Sequence, residues 1–176
     1  MKNAARNIIG SIILFIFQAC HNDKSKDQDA AKKERQSFVF IKNGLIDGLS
    51  EIKASGVAIT NSNNHRVIDL AKMIITDHAL SDSVFLKMKA ERKVSVTDTI
   101  DGYEKRAIDT LSKKMGPAFD RGYLSMMAAI HKRDTVLFAW AAKNTDAEIS
   151  KFAIKTLSTL KLHLDSINAI SSSSKW

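Results

Sequence analysis

Apolar residues recur at steps of three and four along four long stretches of this 176-residue chain, and that period confines it to α-helices. The first pattern covers 34–60 with Phe38, Ile41, Leu45, Leu49, Ile52, Gly56 and Ile59 as its stripe. Gly44, Gly48 and Ser55 leave a groove of small residues beside it, where another helix can come close. The second covers 65–93 with Val67, Ala71, Ile74, His78, Ser81, Phe85 and Met88. A third is predicted over 118–143, and a fourth over 147–170 with Ile149, Phe152, Thr156, Leu160, His163, Ile167 and Ile170. A short helix is predicted at 103–115, with Gly116-Pro117 ending it. The polar runs at 61–64 and 144–146 read as turns, and Asn64 can cap the helix that follows. Four amphipathic helices of similar length with two short turns predict an all-α antiparallel four-helix bundle, with the short extra helix between the second and third.

The N-terminus predicts export. Lys2 and Arg6 precede an apolar run from Ile8 to Phe17, followed by Gln18, Ala19 and Cys20, the only cysteine. Charged region, apolar region, small residue and processing site is the order of a secretory signal. The run is about half the roughly 20 residues a membrane-spanning helix needs. Residues 1–19 are therefore expected to be a lipoprotein signal and Cys20 the lipidated residue, although Phe17 stands where Leu is usual. Residues 20–36 hold no aliphatic side chain larger than Ala and read as a flexible, solvated tether. The domain is expected at 37–171, long enough for a real core, with 172–176 as a tail. With Cys20 lipidated, no thiol is left for an intramolecular disulfide or a zinc–cysteine site.

The 27 basic residues outnumber 19 acidic ones, a formal charge of +8. They are spread over helix faces among acidic neighbours, without an arginine cluster or aromatic residues interleaved with basic ones. That pattern speaks for a solvated surface or attraction to anionic lipid heads, and against nucleic acid.

Histidine placement carries the chemistry. His78 and His163 fall near the centres of their stripes, and His131 falls on the side of the third helix that holds Leu124, Met127 and Phe138. Asp134 is one turn beyond His131, and Glu51 lies at the edge of the first stripe. Three inward imidazoles and two carboxylates from four helices are the parts of a metal or proton-transfer site in a bundle. At about 1.5 Å of rise per residue, Glu51 lies roughly 14 Å and His78 roughly 22 Å below the first turn. His131 lies at roughly 18 to 20 Å, and His163 at roughly 10 Å with a full crossover between the second and third helices or 27 Å without one. A Glu three residues before each His would mark a carboxylate-bridged di-iron centre; Ile75 and Leu160 stand there instead. With more buried histidines than carboxylates, desolvation is expected to hold at least one of them neutral, and His78 is the natural one to test. Nucleophile elbow, phosphate loop, zinc-protease helix and calcium loop are all missing.

Five segments carry a resemblance. Gly48-Leu49-Ser50-Glu51-Ile52, Met73 through Asp77-His78, Phe119-Asp120-Arg121-Gly122-Tyr123, His131 through Asp134 to Leu137-Phe138, and Thr156-Leu157 through Leu160 to His163-Leu164 stand in sequence order. Between about Phe38 and Ile170 the chain resembles, in order and spacing, the bacterial family catalogued as domain of unknown function 4142. The resemblance implies a ferritin-like bundle, commonly behind a secretion or lipoprotein signal, and implies no activity. Ile130 departs from the Asp that commonly precedes the third-helix histidine, and Lys161-Leu162 replaces a more polar pair.

The expectation is thus an exported lipoprotein, anchored through Cys20 in the outer membrane and facing the periplasm. Its bundle would act without catalysis, through the membrane and an envelope protein partner. The alternative is a metal-binding or redox bundle in which His78, His131, His163, Glu51 and Asp134 hold a transition metal ion.

Overall fold

A computed structural model describes residues 19–96, 99–100 and 102–174. The expected signal segment 1–18 lies outside them, and Cys20 is described only as backbone in the first turn of a helix. The helices are α1 (Ala19–Asn61), α2 (His65–Glu91), α3 (Gly102–Ser112), α4 (Gly116–Asn144) and α5 (Ala147–Ser173), and no strand occurs among the described residues. None of these helices is long and apolar enough to cross a membrane.

Helix ends follow local chemistry. Asn64 accepts a hydrogen bond from the Arg66 amide at 3.0 Å, and Asp146 accepts from the Glu148 and Ile149 amides at 3.0 and 3.2 Å. Each thereby satisfies N–H groups that the first turn leaves unpaired. Gly116-Pro117 begins α4 rather than ending the preceding helix. Gly116 takes a positive φ of 54°, and Pro117 sits in the first turn, where its missing N–H is not needed. The short helix stops earlier, at Ser112.

Two boundaries move outward. α1 begins well before residue 34, and residues 25–35 are exposed helix. This stretch keeps the solvated character expected of a tether but is not coil. Three Lys, two Ala and one each of Glu, Gln and Arg make up most of it, with neither Gly nor Pro, so backbone propensity favours helix without any core to pack on. At the other end α5 extends to Ser173, three residues past its last apolar position.

Side-chain meetings give the topology. Along α1, Phe40 lies against Phe85 and Phe138, Glu51 against His78 and His131, and Ser55 against Tyr123. As α1 numbering rises, that of α2 and α4 falls, so both run antiparallel to it. Arg66 near Ser173 and Arg92 on Asp146 set α5 antiparallel to α2, and the ring pairs His131–His163 and Phe138–Phe152 set it antiparallel to α4. α2 and α4 therefore run the same way on opposite corners, and the link between them must travel the length of the bundle. α3 is part of that crossover and packs across α1 and α4. It is tied at one end by Arg133, which reaches both Asp47 and Glu104, and at the other by Asn61 Nδ2 donating to the Ser112 and Lys114 carbonyls, each at 2.9 Å.

The phase of α1 differs from the apolar stripe. Phe38 and Ile59 are each 40% exposed, whereas Phe40, Ile41, Gly44, Gly48, Glu51, Ala54, Ser55 and Ala58 face inward. The groove of small residues is the core face. A Cβ on Gly44 would collide with the Phe85 ring and one on Gly48 with Asp82 Oδ1, so the close approach of α2 requires glycine at both. The rotation carries Glu51 from the edge of the face to its middle. The stripes of α2 and α5 stand largely as expected, with Val67, Ile74, His78, Phe85 and Met88 buried on one and Ile149, Leu160, His163 and Ile167 on the other.

The apolar core falls into two clusters. One gathers Ala58, Leu70, Ile74, Tyr123, Met127 and Ile167 near the α1–α2 turn. The other gathers Phe40, Phe85, Met88, Phe138, Ile149 and Leu160 towards the opposite end. A layer of buried polar side chains lies between them.

Candidate metal centre

Helix rise sets the level of that layer. Glu51 is ten residues from the end of α1, His78 thirteen from the start of α2, His131 fifteen from the start of α4, and His163 ten from the end of α5. At about 1.5 Å per residue these depths are roughly 15, 20, 22 and 15 Å. The crossover and the extension of α5 to Ser173 together bring His163 to the level of the others.

His131 and His163 are fully buried, and His78 is 7% exposed. The three imidazoles, each offering one ring nitrogen, have those nitrogens within 4.8 Å of one another. His131 Nε2 and His163 Nδ1 are 3.1 Å apart. Behind the rings stand carboxylates. Glu51, with no exposed surface, places Oε2 2.9 Å from His78 Nδ1 and Oε1 2.8 Å from His131 Nδ1. His131 Nδ1 also lies 3.0 Å from the Met127 carbonyl, so its proton has two acceptors. Asp77 Oδ2 is 2.9 Å from His163 Nε2.

These contacts decide where the ring protons sit. A carboxylate or carbonyl accepts only, so the ring nitrogen facing it carries the hydrogen. In the neutral rings this leaves lone pairs on His78 Nε2, His131 Nε2 and His163 Nδ1. Two of these lone pairs face each other at 3.1 Å and repel unless a cation or a shared proton lies between them. His78 Nε2 is buried with no hydrogen-bond partner.

Charge reinforces the arrangement. Burial would raise the Glu51 pKa, but the cationic forms of His78 and His131 outweigh it and hold it at about 2. Burial opposes charge on His78, and the Glu51 carboxylate overcomes this and raises its pKa. His163 is lowered, by burial first and by His131 and His78, against the opposing pull of Asp77. The expectation that desolvation wins for at least one ring fits His163. For His78 the direction is the reverse, because Glu51 sits directly on its Nδ1.

Of the five residues expected from sequence, the three histidines converge and Glu51 orients two of them. Asp134 is buried one turn beyond His131 and meets no histidine nitrogen in this group; burial, with Glu51 and Asp47 nearby, pushes its carboxyl well above the usual carboxylate range. Three participants were missed. Asp47 and Asp82 stand four residues from Glu51 and His78, so helical spacing places them on the same faces and could have found them. Burial raises Asp47 in spite of its Arg133 partner, and raises Asp82 to about 6. Asp77 stands next to His78 in the chain. It serves His163 instead, across the α2–α5 interface, and spacing along one helix carries no signal of that.

Comparison with known proteins adds the family. The model of one family, described as Domain of unknown function (DUF4142), matches residues 22–170. The chain belongs to this family. The match begins within α1, at residue 22, and runs through the bundle. Among curated proteins and solved structures, no match to the chain is found.

Proposed function

We propose that this DUF4142 protein binds one transition-metal ion in the middle of its bundle, through His78 Nε2, His131 Nε2 and His163 Nδ1. The observation that carries the reading is the set of carboxylate contacts on the far side of each ring. Metal-bound histidines commonly donate their other N–H to a carboxylate or carbonyl, which fixes the tautomer and makes the ligand more basic. Here His163 donates to Asp77 and His131 to the Met127 carbonyl, and His78 Nδ1 lies 2.9 Å from Glu51 Oε2. Two nitrogens bound at about 2.05 Å and about 98° apart would lie 3.1 Å from each other, the His131–His163 spacing, and His78 offers a third ring nitrogen within 4.8 Å of the other two. Neutral imidazole suits zinc, copper, iron or nickel.

Two antiparallel helix pairs joined by a long crossover, with a polar site built from all four, support reading the bundle as ferritin-like. The site departs from the di-iron pattern of that architecture: its carboxylates sit behind the histidines, and Ile75 and Leu160 stand where bridging glutamates would be. The signal-like N-terminus supports export and anchoring through Cys20, with the bundle in the periplasm on an outer-membrane lipid anchor and in reach of an envelope partner. Changing Cys20 to Ala would then release the protein from the membrane fraction.

Metal content tests the central claim. The purified protein is expected to take up one equivalent of zinc or copper and to lose it in His131→Ala. A metal-free protein, with a His131→Ala variant of unchanged stability, would overturn the proposal and leave a contact module without cofactor.

A further inference from the structure

Beside the three histidines is a cavity of about 10 Å³, room for about one water. His78 and His163 form part of its wall, Asp82 and Asp134 another, and Phe85 and Phe138 close it on the apolar side. Three buried polar atoms on these wall residues have no hydrogen-bond partner: His78 Nε2, Asp82 Oδ1 and Asp134 Oδ1. Buried polar atoms are nearly always paired, so three around one small space indicate something that fills it and bonds to them. An ion on the histidines satisfies His78 Nε2 and leaves both carboxyl oxygens still to be met. Asp82 reaches the cavity because Gly48 has no side chain; a Cβ there would collide with Asp82 Oδ1.

We propose that the ion keeps one coordination position open to this cavity and that the position takes a single small, uncharged, protic ligand. Water is the ligand whose size matches the space. This rests on the metal reading above. Three protein ligands and a water are the arrangement of reactive sites, whereas sites that only hold a fold together use four protein ligands. The ligand's O–H groups would donate to Asp82 and Asp134. Anions are disfavoured, since the cavity wall carries three carboxyl groups, Asp77, Asp82 and Asp134, and no lysine or arginine.

Copper(II) bound to the full protein is the probe. Copper uptake is measured first, and its absence removes the metal reading together with this one. With copper bound, pulsed electron paramagnetic resonance in D₂O should show deuterium of one directly coordinated, exchangeable water. A large excess of azide, a three-atom anion, should leave the copper spectrum unchanged. Bound copper without a coordinated D₂O would overturn the open position while leaving the metal site standing. A copper spectrum shifted by azide would overturn the selection for a small uncharged ligand.

Discussion

Replacing Glu51 by Gln removes a charge and leaves the shape of the site almost intact. Glu51 is fully buried between two histidines, and its pKa falls from an ordinary 4.5 to about 2. A carboxyl group with a depressed folded pKa stabilises the protein above its unfolded pKa, and the contribution is lost as pH drops towards the folded value. At about 1.4 kcal/mol per pH unit, the fall from 4.5 to about 2 corresponds to roughly 3 kcal/mol at neutral pH. Linkage gives up about 2 kcal/mol of that between pH 7 and pH 3. Asp134 and Asp47 are raised in part by Glu51, so they relax when its charge is gone, and about 3 kcal/mol is an upper value for the substitution. The assay is denaturant unfolding of metal-free protein at pH 7, 5, 4 and 3, parent against Glu51→Gln. The parent should lose its advantage progressively below pH 5. A difference between the two proteins that stays constant from pH 7 to pH 3 would refute the claim that Glu51 is held ionised by the histidines.

His163 titrates in the opposite sense to His78 in the metal-free protein. Its folded pKa lies below 6.5, so the unfolded chain takes up that proton first and stability should fall as pH drops below about 6.5. His163→Gln should flatten this slope in urea midpoints between pH 7 and pH 5, and an unchanged slope would count against a neutral His163. His78, with a raised pKa, stabilises the fold below 6.5 and loses that contribution as pH rises through its folded value. At the far end of the bundle, Asp146 caps α5 and accepts from Arg92 at 2.8 and 3.2 Å. Asp146→Ala should lower stability by about 1 to 2 kcal/mol, read as a lower denaturant midpoint, with the bound-metal equivalent unchanged.

Periodicity made the helices legible, because the stripes on α2 and α5 are long and keep their phase. It misread α1 for a specific reason. Large apolar residues normally mark the buried face, but here Phe40, Ile41 and Leu45 share it with Gly44, Gly48, Ala54, Ser55 and Ala58, with Phe85 and Asp82 of α2 close against the two glycines, and Phe38 and Ile59 lie on the outside. The glycines were visible; what they faced depended on Phe85 and Asp82 of another helix. The lack of large aliphatic side chains over 20–36 read as a flexible, solvated tether; residues 25–35 are exposed and helical, since a stretch with Lys and Ala and with neither Gly nor Pro needs no core to favour helix. The histidines were legible as a set because each interrupts an apolar stripe. The ranking of their pKa values was not, since it depends on the reach of Glu51 and Asp77 across helix interfaces.

The placement of the polar layer is itself an argument for function. The clusters around Tyr123 and around Phe85 could have met as one continuous core, and burying apolar side chains there would have been the more stabilising choice. Instead Glu51, His78, His131 and His163 cut the core at one level, with Asp134 and Asp82 beside them. A layer meant only to fix helix register would pair its polar groups among themselves. This one leaves His78 Nε2, Asp82 Oδ1 and Asp134 Oδ1 without a partner on residues that line a small cavity. Sequences break local rules chiefly where function requires it. The break falls between two apolar clusters, each built by all four long helices, which pack on either side of the polar side chains.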